Sequence, residues 1–181
     1  LRLPTHGYLG ASDAKIVDAQ AGLESGVSAM IAALAGINMV SGAGMLDFLA
    51  CQSAEKLVVD AEGIGMAQRM LAGIQLRTET LATALFEGIN FKGDFLKQKA
   101  TRQLFPLEQH LPSGVIDRQS IRGWQQAGSL DTFARARQRT AELLAAYQRP
   151  EIPPEQEQAL SEQMSAMARQ AGMEQLPPCT S

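Results

Sequence analysis

Asp13 is the residue of this chain best placed to meet a substrate. It stands in Gly10-Ala-Ser-Asp-Ala-Lys15, followed by Asp18-Ala-Gln-Ala-Gly22, where a short apolar strand hands over to a long amphipathic helix. In parallel α/β proteins the carboxyl ends of strands are where side chains meet substrate, so a carboxylate there is a candidate for binding or catalysis. Its competing role is to cap the turn or helix that follows. His6 and Tyr8, two apart, share one face of the strand and point either into a site or toward packing helices. Gln20 at the helix start can reach the same end. Asn38 and Ser41, on or beside the next strand, line a pocket or are satisfied core polar groups.

Other polar residues carry less. Lys15 would need a buried setting to form a Schiff base, as in an aldolase-like lyase; it follows the strand in a loop, with Asp18 as its simplest ion-pair partner. Asp60 and Glu62 are two apart on a helix and so face different ways, which is no acid–base pair. Gly42-Ala-Gly44 is a tight strand-to-loop turn whose N–H groups can face a ligand, although a short Gly-x-Gly is a weak phosphate signal. His110 has no Cys, His or acidic cluster at metal-ligand spacing and reads as a surface residue. Arg135, Arg137 and Arg139 read as a solvated face, with docking to an acidic partner as the alternative. Leu160, Met164 and Met167 form a narrow apolar stripe suited to a packing seam.

The elements that must position these groups are legible. Thr5 to Leu9 reads as a strand with Pro4 at its mouth. Asp18 to Ala35 reads as a helix whose Leu23, Val27, Met30, Ile31 and Leu34 make one apolar face, ended by Gly36. Ile37 to Val40 is a second, near-continuously apolar strand, typical of a parallel sheet covered on both faces. Ser53 caps a helix running to about Leu71, with Gly73 at its exit. Thr78 opens another that carries Leu81, Leu85 and Phe86. Asp94 to Phe105 is a short helix stopped by Pro106, and Ser129 caps a basic-faced helix through Tyr147. Pro150, Pro153 and Pro154 form a stiff joint before a polar helix from Glu155 to Ala171.

The 181 residues suffice for one sizeable core. Charged residues at 19% and hydrophobic ones at 45% argue against wholesale disorder. A formal charge of -3 provides no field for nucleic acid or an anionic membrane, and no apolar run approaches the roughly 18–20 residues of a membrane span. Cys51 and Cys179, far apart, suit reduced thiols in a cytoplasmic protein. The chain opens at Leu1 without a methionine and enters a strand almost at once, as a piece of a longer protein would.

In order and spacing, the chain resembles the C-terminal part of the trimethylamine methyltransferase family. The resemblance rests on Ser12-Asp-Ala-Lys15, Asp18-Ala-Gln-Ala-Gly22, Gly42-Ala-Gly-Met45, Val59-Asp-Ala-Glu62 with Gly65, Gly73-Ile74, Phe95-Leu96, Asp117-Arg118 and Trp124. It implies an α/β fold: the C-terminal portion of a (β/α)8 TIM barrel, with two parallel strands, followed by a mainly helical tail. Residues 1–75 would then be the last two strand–helix units, 76–150 a helical extension, and 151–181 a terminal helix and tail. The implied reaction moves a methyl group from a tertiary or quaternary amine, trimethylamine- or betaine-like, to the Co(I) of a corrinoid. That cofactor is carried by a partner corrinoid protein and not bound directly by this chain.

A quaternary ammonium wants carboxylates or aromatic faces near it. The resemblance therefore implies Asp13 as the catalytic residue and His6, Tyr8, Gln20 and Asn38 as substrate-binding, with no metal site. No residue here replaces the pyrrolysine of the founding members, which implies the non-pyrrolysine branch. Lys99 and Gln103 stand where the family often carries histidines. With six strands missing, the segment is expected to be inactive alone and to form a homo-oligomer. A non-catalytic helical interaction module derived from the family is the alternative.

Overall fold

The computed structural model describes residues 3–75, 83–86, 89, 93–108, 113–173 and 176. Thr78, Leu81, His110, Pro112 and Cys179 lie outside the described residues. Two compact units divide the chain, Leu1–Ala145 and Ala146–Ser181.

The larger unit begins with the expected strand–helix–strand. β1 (His6–Tyr8) pairs in parallel with β2 (Met39–Ser41), in the register His6 to Met39 and Tyr8 to Ser41. Parallel strands need a crossover, and α1 (Ala19–Leu34) supplies it. Asp18 caps α1 by accepting the N–H groups of Gln20 and Ala21 through its carboxylate, and Gly36 leaves it at φ +68°.

The buried face of α1 is not the one its apolar periodicity suggests. Ala21, Ser25 and Ala32 are buried, whereas Leu23, Val27, Ile31 and Leu34 are 51–69% exposed. The reason is α2 (Ala54–Leu71), which packs along α1 and takes Ser25 inward, where its hydroxyl accepts from Lys56 Nζ at 2.7 Å. Gly22, Gly26 and Gly63 line a cavity beside the helix pair in which an added Cβ would meet nothing within 4 Å, and Leu23, Val27, Ile31 and Leu34 are left outside the packed face. Likewise Met39 and Val40 of β2 are exposed, not covered on both faces.

Between β2 and α2 the chain forms an element without a sequence signal: an antiparallel pair of two-residue strands, β3 (Met45–Leu46) and β4 (Cys51–Gln52). Their connection runs Asp47, Phe48 and Leu49 through positive φ values of 49°, 53° and 73°. Leu46 packs with Ala14 and Ala21 into a small core that Val17 extends.

Gly44, at φ +81°, needs both its backbone freedom and its missing side chain. A Cβ there would meet Leu57 Cβ at 3.0 Å and Ser53 O at 3.3 Å. Gly44→Ala is therefore expected to destabilise the chain by about 1–3 kcal/mol, read as a lower urea midpoint at unchanged m-value.

Ser53 caps α2 as expected, accepting the Lys56 N–H, and Gly73 follows its end at φ +61°. Two later helix boundaries differ from those the sequence predicts. Asp94 caps a 3-10 turn at Phe95–Lys97, after which α3 (Lys99–Glu108) carries Pro106 inside it. The proline removes one helical N–H bond. Arg69 fastens the last turn nonetheless, through Nε and Nη2 to Glu108 O and through Nη2 to its carboxylate at 2.9 Å. After α4 (Ile121–Gln126), α5 (Thr132–Ala146) is capped by Asp131, whose carboxylate accepts the Ala134 N–H at 2.7 Å. Ser129 instead sits at φ +56° in the preceding turn, where Trp124 Nε1 donates to Leu130 O.

In the smaller unit, α6 (Pro154–Gln170) starts with proline at its first position and has Gly172 beyond its end at φ +78°. Its Leu160, Met164 and Met167 are exposed.

Candidate functional site

Parallel pairing brings the carboxyl ends of β1 and β2 side by side, so the segments after them meet. Leu9 N–H donates to Ser41 O at 2.9 Å, and Ser12 N–H to Met45 O at 3.0 Å. Gly42, at φ +127°, lies so near that a Cβ would be 3.0 Å from Leu9 O. These loops and α1 border a cleft of about 800 Å³ lined by Tyr8, Ser12, Asp13, Glu24, Phe48 and Leu49, with the apolar side of α1 forming one wall.

Asp13 is exposed on this cleft, and no hydrogen bond or ion pair engages its carboxylate among the described residues. It does not cap α1; Asp18 does. Its N–H instead donates to Glu24 Oε2 at 2.8 Å, and the same oxygen accepts the Ser12 hydroxyl at 2.6 Å. Gln20 Nε2 holds the other oxygen of Glu24 at 2.9 Å. The Ser12 hydroxyl, the Gln20 amide and the Asp13 N–H hold the Glu24 carboxyl below the usual carboxylate range, with Lys15 adding to the effect.

The sign of the resulting pH effect follows directly. A depressed folded-state pKa contributes stability above the unfolded value, and that stability is lost as pH falls through the folded one. The Ser12–Glu24–Asp13 clasp is thus expected to hold at neutral and mildly acidic pH and to open only below the usual carboxylate range. Amide chemical shifts of Ser12 and Asp13, followed in an acid titration, check this; a midpoint above that range contradicts it.

The other candidates are distributed unevenly. Tyr8 lines the cleft, and His6 stacks edge-on against it with ring centroids 5.2 Å apart. His6 Nε2 also shares a 2.7 Å hydrogen bond with Ser41 Oγ, so these residues occupy one sheet face. Gln20 acts through Glu24. Asn38 is not brought to the cleft: it precedes β2 at the opposite end of the sheet, where its Oδ1 accepts the Thr5 N–H at 2.9 Å. Lys15 pairs with Asp47 at 3.0 Å, not with Asp18, and lies 4.9 Å from the Phe48 ring centre. Both partners belong to the positive-φ turn, so tertiary placement overrides the sequence neighbour.

Glu24 and Phe48 are the cleft residues that sequence reasoning missed. The signal for Glu24 was its i,i+4 spacing from Gln20 behind the Ser12-Asp13 pair. Phe48 had none, since its position depends on the left-handed turn. Among the described residues no group of three or more His, Cys, Asp or Glu is placed to hold a metal ion. No helix there is long and apolar enough to cross a membrane.

Parallel strands joined by a helix, with a carboxylate-bearing cleft at their carboxyl ends, define a strand–helix portion of an α/β protein. Residues 1–173 match the family model described as trimethylamine methyltransferase, and the chain belongs to that family. It is 36% identical over 148 residues to a trimethylamine methyltransferase of Methanosarcina thermophila, covering 81% of this chain and 30% of that protein. With the trimethylamine methyltransferase MttB1 of Methanosarcina mazei the identity is 39% over 135 residues, 74% of this chain and 26% of the relative. A glycine betaine methyltransferase of Desulfitobacterium hafniense is 33% identical over 173 residues, 95% of this chain and 36% of that protein. The chain thus spans about a third or less of the length of these relatives.

Proposed function

We propose that this chain is the C-terminal strand–helix portion of a (β/α)8 barrel, and that its cleft is one rim segment of an amine methyltransferase site. The substrate class is a tertiary or quaternary methylated amine, and the methyl acceptor is the reduced corrinoid of a partner protein. Family membership and the names of the relatives support the reaction class. The open edges of the two-stranded sheet suit a segment completed by the rest of a barrel.

The observation that carries the reading is the composition of the cleft. An unengaged Asp13 carboxylate and an ionised Glu24 face it beside the rings of Tyr8 and Phe48. A quaternary ammonium donates no hydrogen bond, so it is held by charge and by aromatic faces, and both are present. The corrinoid supplies the nucleophile. The residues of this chain bind and position instead. Asp13 and Tyr8 hold the cation, Glu24 fixes the Ser12-Asp13 backbone, and Gln20 orients Glu24. Asn38 takes no part in this site. The working protein is further proposed to be cytoplasmic and homo-oligomeric.

The test is spectroscopic. Full-length protein, its corrinoid partner reduced in advance, and a panel including trimethylamine and glycine betaine are mixed, and the absorption change on corrinoid methylation is followed. Turnover with one amine supports the proposal. No methylation with any amine, given a partner shown to be competent with free methyl donor, overturns it in favour of a non-catalytic interaction module.

A further inference from the structure

Lys56 is fully buried at 0% exposure and lies outside the cleft, yet it joins both loops that border it. Its Nζ donates to Gly10 O at 2.9 Å and to Ser25 Oγ at 2.7 Å, and it is paired with Asp60, itself 5% exposed. Asp60 Oδ2 in turn accepts the Gly44 N–H at 2.7 Å. Ser25 Oγ makes a second bond to Gly10 O at 2.9 Å, and Ser28 Oγ accepts the Gly10 N–H at 2.8 Å. Gly10 opens the segment that carries Asp13, and Gly44 closes the turn after β2. One buried ion pair, one helical turn long on α2, therefore fastens the loop after each strand.

We infer that Lys56 and Asp60 are positioning residues that couple the Gly10–Asp13 loop to the Gly42–Gly44 turn and set the spacing of the cleft. A surface i,i+4 pair of this kind contributes little, whereas a buried one that satisfies backbone groups on two loops dictates where those loops sit. The loops do not reach the pair through side chains of their own. They offer a carbonyl and an amide, so only the α2 residues can be exchanged without altering the loop sequence.

The catalytic consequence rests on the proposed methyl transfer, but the coupling itself does not, and the experiment separates them. Hydrogen–deuterium exchange is measured on full-length wild type, Lys56→Met and Asp60→Asn, at residues 9–14 and 42–46, with the middles of α1 and α2 as controls. Coupling predicts that both loops lose protection together in either variant, and by more than the control helices lose through the lower global stability. Response of one loop alone, or of neither, overturns it. Should Lys56→Met fail to fold, Lys56→Met/Asp60→Leu removes the pair without stranding a charge and must still loosen both loops. In the corrinoid assay these variants are expected to lose about 10²-fold in kcat/KM for the amine, as displacement of the loop that holds the cation would. A purely structural role would leave kcat/KM of the folded fraction intact. An assay with no turnover even in wild type would sink the methyltransferase reading and leave the exchange result standing.

Discussion

Lys56→Met is expected to cost the fold about 3–5 kcal/mol, the range for removing one partner of a buried ion pair. The size follows from what is left behind. Asp60 stays buried with its Gly44 N–H bond but no counter-charge, and Gly10 O and Ser25 Oγ each lose a donor. A buried carboxylate without its counter-charge carries a high desolvation cost. Burying the pair was itself expensive, so replacing both members with apolar groups of similar size restores most of the loss. Lys56→Met/Asp60→Leu is accordingly expected to lie within about 1–2 kcal/mol of wild type. Urea midpoints of full-length wild type, the single variant and the double variant check this. A single variant as stable as wild type would mean that the pair is not buried in the complete protein.

Asp13→Asn is expected to lower kcat/KM for a quaternary amine by about 30–100-fold, the equivalent of about 2–3 kcal/mol of transition-state stabilisation. The substitution keeps the side-chain size and removes only the charge. The Asp13 N–H bond to Glu24 comes from the backbone and survives, so the loop stays in place. The loss must therefore appear in steady-state kinetics while the urea midpoint remains at the wild-type value. Asp13→Glu, which restores the charge one methylene further out, is expected to recover part of the activity. If Asp13→Asn turns over normally, Glu24 is the anion that faces the substrate, and the role assigned to Asp13 is incorrect.

The order of elements was readable because it depends on neighbours in the chain. Asp18 and Ser53 are good caps wherever a helix starts beside them, and Gly36 and Gly73 follow helix ends because a left-handed residue continues the chain there. The parallel pairing of β1 and β2 was implied by the helix between them. The family was legible for the same reason, since it rests on short motifs in a fixed order.

The site was legible only in part. Asp13 could be picked out by its place after a strand, and Tyr8 by alternation. Glu24, however, reads as an ordinary helical glutamate until β1's loop folds back to present Ser12 Oγ and Asp13 N–H to it. Asn38 reads as a pocket residue until the strand direction puts it at the far end, against Thr5. Phe48 joins the cleft through a turn with three successive positive φ values, a conformation without a local sequence signature outside glycine.

Lys56 and Asp60 mark the division most plainly. Four apart on a helix, they look like any solvated ion pair, and the chain by itself determined only that they share a face. What made that pair the centre of the structure was contact with Gly10, 46 residues earlier, and with Gly44, 16 residues before Asp60. Caps, turns and periodicity are local energies and are written in local residues. Burial of a charge is decided by what the rest of the chain packs around it, and that exists only once the tertiary structure has formed.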